Sequence, residues 1–250
     1  MILNSCFVKV KKSVKKRGLL GFLKASLSYV VSLAVLYLGN VSNVISFFVF
    51  LSFHRHDFFI FKDRKIDFLI HPYNRTWENE RSLEVPIIWN RILDSHGKES
   101  RILELGNVLS HYKYFAHDVI DKYEKGRNVL NVDIVDFSSD ALYDFIFTIS
   151  TIEHVGYDCG ELPDSEKPKR AIEKLLSMLK KGGQLIVTFP IGYNPFLDDF
   201  VFRNRIYFSE IYFYHQYKDN LNWELITKDE VESFKGAKNS KILCILITHK

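Results

Sequence analysis

Beyond Glu84 the chain alternates short apolar runs with amphipathic stretches. Runs near 101–105, 117–121, 129–133, 144–150, 184–189 and 242–248 have the length and residue types of strands. Stretches near 84–95, 108–115 and 168–181 repeat their apolar positions at helical spacing. The last of these leads into Lys180-Lys181-Gly182-Gly183, where basic residues followed by glycine predict a helix stop. Strands that alternate with helices predict βαβ units around a parallel sheet, an α/β fold.

Upstream the pattern differs. Ala25–Phe53 is a run of 29 residues without a charged side chain, divided by Gly39-Asn40-Val41-Ser42-Asn43 into two apolar pieces, each shorter than a bilayer span. The preceding residues 1–24 hold seven Lys/Arg and no acid. A cationic arm followed by two short apolar pieces predicts a monotopic helical anchor on an anionic membrane surface, with a true span and a soluble helical cap packed on the domain as the alternatives. A complete crossing with the lysines inside would leave the rest of the chain outside, so the expected location is membrane-associated with the main domain cytoplasmic. Residues 1–56 form this arm and anchor, 57–83 a hairpin or lid-like linker, and 84–250 the main domain. Within the linker, two apolar stretches flank the polar turn Lys62-Asp63-Arg64-Lys65, as a hairpin requires.

Charge sharpens the picture. The net +4 belongs to the arm, because residues 25–250 hold 27 basic and 30 acidic side chains and sum to −3. A nucleic-acid partner is therefore not expected for the main domain. Cys6, Cys159 and Cys244 are far apart and lack metal-site spacing, so neither a disulfide framework nor a metal centre is expected.

Candidate chemistry sits where strands end. The strand near 101–105 runs into Glu104-Leu105-Gly106-Asn107, and the carboxyl edge of an open sheet is where α/β folds bind nucleotides. Gly106 lets backbone approach a ligand, and Glu104 can organise the loop or hold an ammonium group. Asp121 follows Glu104 by seventeen residues at the next strand end, the place of a ribose-binding acid. Asp133 ends a third strand. A fourth, buried strand leads through Ser150 and Thr151 to His154, and a fifth strand, Gln184 to Pro190, leads into the turn-rich segment Tyr193-Asn194-Pro195-Phe196-Leu197-Asp198. Tyr193, Asn194 and Asp198 are candidate acceptor contacts. The dense segment Tyr73–Arg81 reads either as a lid over a ligand or as a surface ion-pair cluster.

Together these segments resemble the motif series of class I S-adenosylmethionine (SAM) dependent methyltransferases over about residues 73–250. The most specific pieces are YDFIFTISTIEHV and LKKGGQLIVTFP. HPYNRTWENERSLEVP and ELGNVLSHY are similar to phrases of a subgroup encoded among cell-surface glycan biosynthesis functions. The resemblance implies a Rossmann-like sheet with helices on both faces, SAM as cofactor, and a small-molecule or glycan acceptor, with oxygen favoured as the methylated atom. It places Glu104, Gly106 and Asn107 at the methionine moiety, Asp121 at the ribose, Asp133 and Ile134 at the adenine, and Ser150 and Thr151 beneath the sulfonium. His154 is then the candidate general base.

One departure matters: the family's glycine-rich loop retains only Gly106 here, followed by Asn107-Val108-Leu109-Ser110. It motivates a second reading, a non-catalytic binding or scaffold protein on the same fold. A nicotinamide-dependent oxidoreductase or epimerase would need a glycine-rich loop and a Tyr-x-x-x-Lys pair, and neither lies in the expected place.

Overall fold

A computed structural model of the chain describes residues 45, 47–52, 54, 56–94, 100–157, 162–203, 207–217, 221–234 and 241–250. The chain divides into two units, Met1–Phe53 and His54–Lys250. The basic arm and most of the apolar run, which carry the expected anchor, lie outside the described residues. Residues 47–52 are helical, with Phe48 and Val49 exposed. Among the described residues no helix is long and apolar enough to cross a membrane.

The second unit opens with a hairpin, β1 (Phe58–Phe61) and β2 (Arg64–Asp67), paired antiparallel. Lys62 and Asp63 both take positive φ, 49° and 60°, the backbone of a two-residue turn that suits the right-handed strand twist. Phe59, Phe61 and Ile66 are buried against Leu83, Ile87 and Ile88 of α1 (Arg81–Asp94). The hairpin is thus part of the main unit's core rather than a separate linker.

The eight-stranded sheet has the order β5-β4-β3-β6-β7-β10-β8-β9. Its members are β3 (Ile102–Leu105), β4 (Asp118–Ile120), β5 (Val129–Leu130), β6 (Tyr143–Ile149), β7 (Leu179–Pro190), β8 (Glu210–Gln216), β9 (Trp223–Ile226) and β10 (Lys241–His249). The first five in the order are mutually parallel, and β10 runs antiparallel between β7 and β8. Strand order reverses between β3 and β6, a topological switch point, so the loops leaving these two strands diverge at the carboxyl edge.

Side-chain alternation divides the core into two layers. Ile102, Phe145, Phe147, Ile149, Ile186, Leu243, Ile245 and Ile247 face α1 and the hairpin. Leu103, Leu105, Ile146, Leu185, Val187, Phe189, Ile242, Cys244 and Leu246 face α2 (Lys167–Ser177) and α3 (Pro195–Arg203). Helices therefore cover both faces, as expected of an α/β sheet. A short α4 (Lys228–Phe234) contributes Val231 to the second layer.

Three local outcomes differ from expectation. The stretch 108–115 forms only a single 3-10 turn, Leu109–His111. The helix expected to end at Lys180-Lys181-Gly182-Gly183 stops at Ser177, because Leu179 already pairs with Tyr143 and this segment belongs to β7. There the register with β6 shifts between Tyr143 and Phe145, and Gly182 at φ 79° supplies the backbone of that irregularity. Finally, β8 and β9 are strands at positions for which the sequence pattern predicts none.

Candidate functional site

A cavity of about 300 Å³ opens at the switch point, lined by residues from the ends of β3, β4 and β6 and the loop after β5. Of the residues singled out in the sequence it gathers Gly106, Asp121, Asp133, Ile134, Thr151 and His154. Its volume lies at the small end of the range for ligand pockets.

Gly106 forms the floor. Its φ is 89°, its N–H donates to the Ile120 carbonyl at 2.8 Å, and an added Cβ would lie 2.1 Å from Thr151 Oγ1. Only glycine permits this approach of the β3 loop to the β6 loop. Glu104 stands beneath the loop, fully buried, and does not reach the cavity. One carboxylate oxygen accepts the N–H groups of Val108 and Leu109 at 2.9 and 2.8 Å, and the other lies 2.7 Å from His117 Nε2. These bonds satisfy the first amides of the 3-10 turn. Of the two roles open to Glu104, organising the loop and holding an ammonium group, these bonds perform the first.

Asp121 lines the cavity while tying its own loop. Its Oδ2 accepts the Asn107 N–H at 3.1 Å, and its Oδ1 accepts those of Tyr123 and Glu124 at 2.8 and 2.7 Å. Asn107 is not in the lining itself, but its side-chain amide donates to Oε1 of Glu124, which is, at 2.7 Å, and His111 Nε2 lies 3.1 Å from the same oxygen. Asp133 faces two lysines, Lys122 at 2.9 Å and Lys167 at 2.8 Å. Burial raises its pKa, but the bonds from Lys167 and Lys122 outweigh that and hold it at about 2. Ile134, Val132, Leu105 and Val155 supply apolar wall.

The two residues after β6 diverge. Thr151 lines the cavity, with its hydroxyl donating to the Ile149 carbonyl at 3.0 Å. Ser150, at φ 34°, points the other way and donates to Glu84 Oε1 at 2.6 Å. Glu84 is fully buried and bonded to Arg81, so Ser150 belongs to a buried polar cluster behind the cavity rather than to its lining. Glu153 joins this cluster, and its burial, with Glu84 nearby, pushes its carboxyl well above the usual range.

His154 stands at the rim, its ring edge-on to Tyr193 with centroids 4.8 Å apart. Tyr193 is 42% exposed. Asn194 and Asp198 are buried and structural. Asn194 accepts the N–H groups of Phe196 and Leu197 at the start of α3 and donates to the Glu153 carbonyl, while Asp198 accepts the Gly192 N–H at 2.9 Å. Neither side chain is presented to an acceptor. Tyr73–Glu78 forms 3-10 turns with Thr76 and Trp77 buried and Tyr73 stacked on His111 at 4.7 Å, and none of its residues lines the cavity.

Sequence reasoning missed Lys122, Tyr123, Glu124 and Lys167 in the lining. The first three directly follow Asp121, so their position after a strand end was a usable signal. Lys167 starts a helix forty-six residues further on in sequence, and nothing local marks it. Among the described residues no group of His, Cys, Asp and Glu is arranged to hold a metal.

No family model and no curated protein matches the chain. Solved structures give distant likenesses. A SAM-dependent methyltransferase from Clostridium acetobutylicum ATCC 824 is 11% identical, over 66% of this chain and 90% of that one, with a TM-score of 0.37. A SAM-dependent methyltransferase from Thermotoga maritima, described as a possible histamine N-methyltransferase, is 17% identical over 64% and 87%, at 0.36. The sugar N-methyltransferase KedS8 from Streptoalloteichus sp ATCC 53650 is 15% identical over 52% and 57%, at 0.30.

Proposed function

We propose that this protein is an enzyme that transfers a methyl group from SAM to a polar small molecule or glycan, with a hydroxyl oxygen as acceptor. The observation that carries the reading is the glycine floor: Gly106 lies against Thr151 at the switch point, where any side chain would collide with Thr151 and force apart the two loops that line the cavity. The lining suits the cofactor. Apolar Val132 and Ile134 form a slot for a purine, with Asp133 beside it, and Asp121 stands at the strand end where a ribose acid belongs.

Bound there, SAM supplies an electrophilic methyl group. The chain's contribution is chiefly positioning, which alone can account for a large part of a barrier. Gly106 and Thr151 set the depth of the cavity, and the Glu104 and Asp121 bonds fix the loops around it. His154, on the rim, is placed to accept the acceptor's hydroxyl proton through an imidazole nitrogen. Residues 1–24 and the apolar run after them would hold the domain at the cytosolic face of an anionic membrane, and sedimentation with phosphatidylserine vesicles tests that part.

Calorimetric titration with SAM and S-adenosylhomocysteine tests the central reading. Saturable binding lost in Gly106→Ala supports it, whereas silence at millimolar cofactor sinks it. The second reading, a non-catalytic binding protein, is favoured by one observation: the carboxylates of Asp121 and Asp133 are already engaged by backbone amides and lysines.

A further inference from the structure

The peptide plane that joins Glu153 to His154 is bonded at both of its polar ends. The His154 N–H donates to the Thr151 carbonyl at 3.1 Å, a local bond that closes the 3-10 turn Ile152–His154. The Glu153 carbonyl, at the other end of the same plane, accepts the side-chain amide of Asn194 at 2.8 Å. This second bond comes from forty-one residues further along the chain, out of the loop that follows β7.

Asn194 is fully buried, and both ends of its amide are in use. Its Oδ1 accepts the N–H groups of Phe196 and Leu197 at 3.0 and 3.2 Å, at the start of α3. Two donors on one end fix the amide's orientation, since the flipped group would set N–H against N–H and oxygen against carbonyl oxygen. One side chain therefore caps α3 and ties it to the turn that carries His154. Serine or aspartate would cap a helix equally well, so capping alone does not require asparagine. Only the amide adds an N–H for the Glu153 carbonyl.

The same loop meets His154 a second time. Tyr193, the residue before Asn194, sets its ring edge-on to the imidazole with centroids 4.8 Å apart. On its other side Gly192 donates its N–H to Asp198 at 2.9 Å, so Tyr193 lies between two pinned residues. Its side chain lines a separate cavity at the carboxyl end of β7, whereas His154 lines the first cavity.

We propose that Asn194 is the positioning residue of His154: it holds the peptide plane from which the imidazole projects, and it anchors the loop that lays the Tyr193 ring against that imidazole. The chemistry of His154 rests on the methyl-transfer reading, while its placement by Asn194 stands by itself. In that reading the acceptor oxygen bonds the methyl carbon, the pair of the breaking C–S bond stays with sulfur, and the hydroxyl proton passes to the imidazole. The ring must then stand at one place, because an error of about 1 Å costs about a hundredfold in rate.

NMR of the full chain labelled in its histidine rings reads the placement, with the His154 signal identified by its loss in His154→Ala. Asn194→Ser keeps an oxygen to cap α3 and removes the tie to Glu153. Tyr193→Leu removes the neighbouring ring and marks where the His154 signal lies without it. In Asn194→Ser the His154 signal is expected to move toward that mark. The signals of His71, His117 and His215 are expected to stay in place, and S-adenosylhomocysteine affinity to stay within about twofold, which together show a folded protein. Asn194→Asp, which keeps both the cap and the side-chain length but offers no N–H, is the second variant and is expected to move His154 in the same way. A His154 signal that either Asn194→Ser or Tyr193→Leu leaves in place overturns the proposal. So does a shift shared by all the histidines in both Asn194 variants, which would make the residue's role general to the fold. Movement of His154 alone in a protein that ignores millimolar S-adenosylhomocysteine would keep the positioning role and remove the methyl-transfer reading.

Discussion

Lys167 Nζ, at the first residue of α2, lies 2.8 Å from the carboxylate of Asp133, and Lys122 Nζ lies 2.9 Å from the same oxygen. Residues far apart in sequence thus close one side of the first cavity around a single acid. Because the folded pKa of Asp133 is about 2 and its ordinary value 3.8, folding favours the ionised form. The stabilisation is fully present above the unfolded value and is lost as pH falls from about 4 through about 2. Its size is about 1–2 kcal/mol after allowing for partial solvent screening. Urea melts of Asp133→Asn should show this loss at pH 7, and the gap to the unsubstituted protein should shrink below pH 3. A constant gap would remove the linkage.

Gly106→Ala carries two penalties, a left-handed φ and a Cβ that meets Thr151 Oγ1 at 2.1 Å. Strain of this kind costs about 1–3 kcal/mol. The variant should lose S-adenosylhomocysteine affinity by more than about tenfold, as read by calorimetry. Full affinity would show that the cavity over Gly106 is not the cofactor's.

His154→Ala separates proton transfer from positioning. A general base contributes about 10²–10⁴ in rate. The expected outcome is a fall in kcat of that order with S-adenosylhomocysteine binding nearly unchanged. A fall of less than about threefold would leave orientation as the whole of catalysis.

Ser150→Ala tests the direction of a side chain. Its hydroxyl bonds the buried Glu84 and not the cavity, so the substitution should lower stability by about 1–3 kcal/mol while leaving cofactor affinity intact. Thermal melts and calorimetry on one preparation measure both quantities. A selective loss of affinity would return Ser150 to the cofactor site.

The legible part of this molecule was its sheet. Tyr143–Ile149 and Lys241–His249 are nearly continuous apolar runs because both faces are covered, and burial on two sides leaves no polar register to misread. β8 was harder, since Glu210-Ile211-Tyr212-Phe213-Tyr214-His215-Gln216 mixes rings with polar groups and gives no clean period. At the site, strand ends located the cavity, because in a parallel sheet they converge on one edge. Side-chain direction did not follow. Ser150 and Thr151 are neighbours in sequence yet face opposite ways, and Asn194 and Asp198 sit in an acceptor-like loop while holding that loop together. A sequence records which strand a residue follows, whereas the partner that claims its polar atoms comes from distant positions such as Glu84 and Glu153.

The single 3-10 turn between β3 and β4 leaves the rim of the first cavity without the rigid cylinder that a full helix would provide. Glu104, Asp121 and Glu124 brace it instead, Glu104 holding Val108 and Leu109 while Asp121 and Glu124 both hold Asn107. The rim is therefore an arch built of acids: removing one of these carboxylates slackens the whole opening, where in a helix-lined site the same loss would cost one contact.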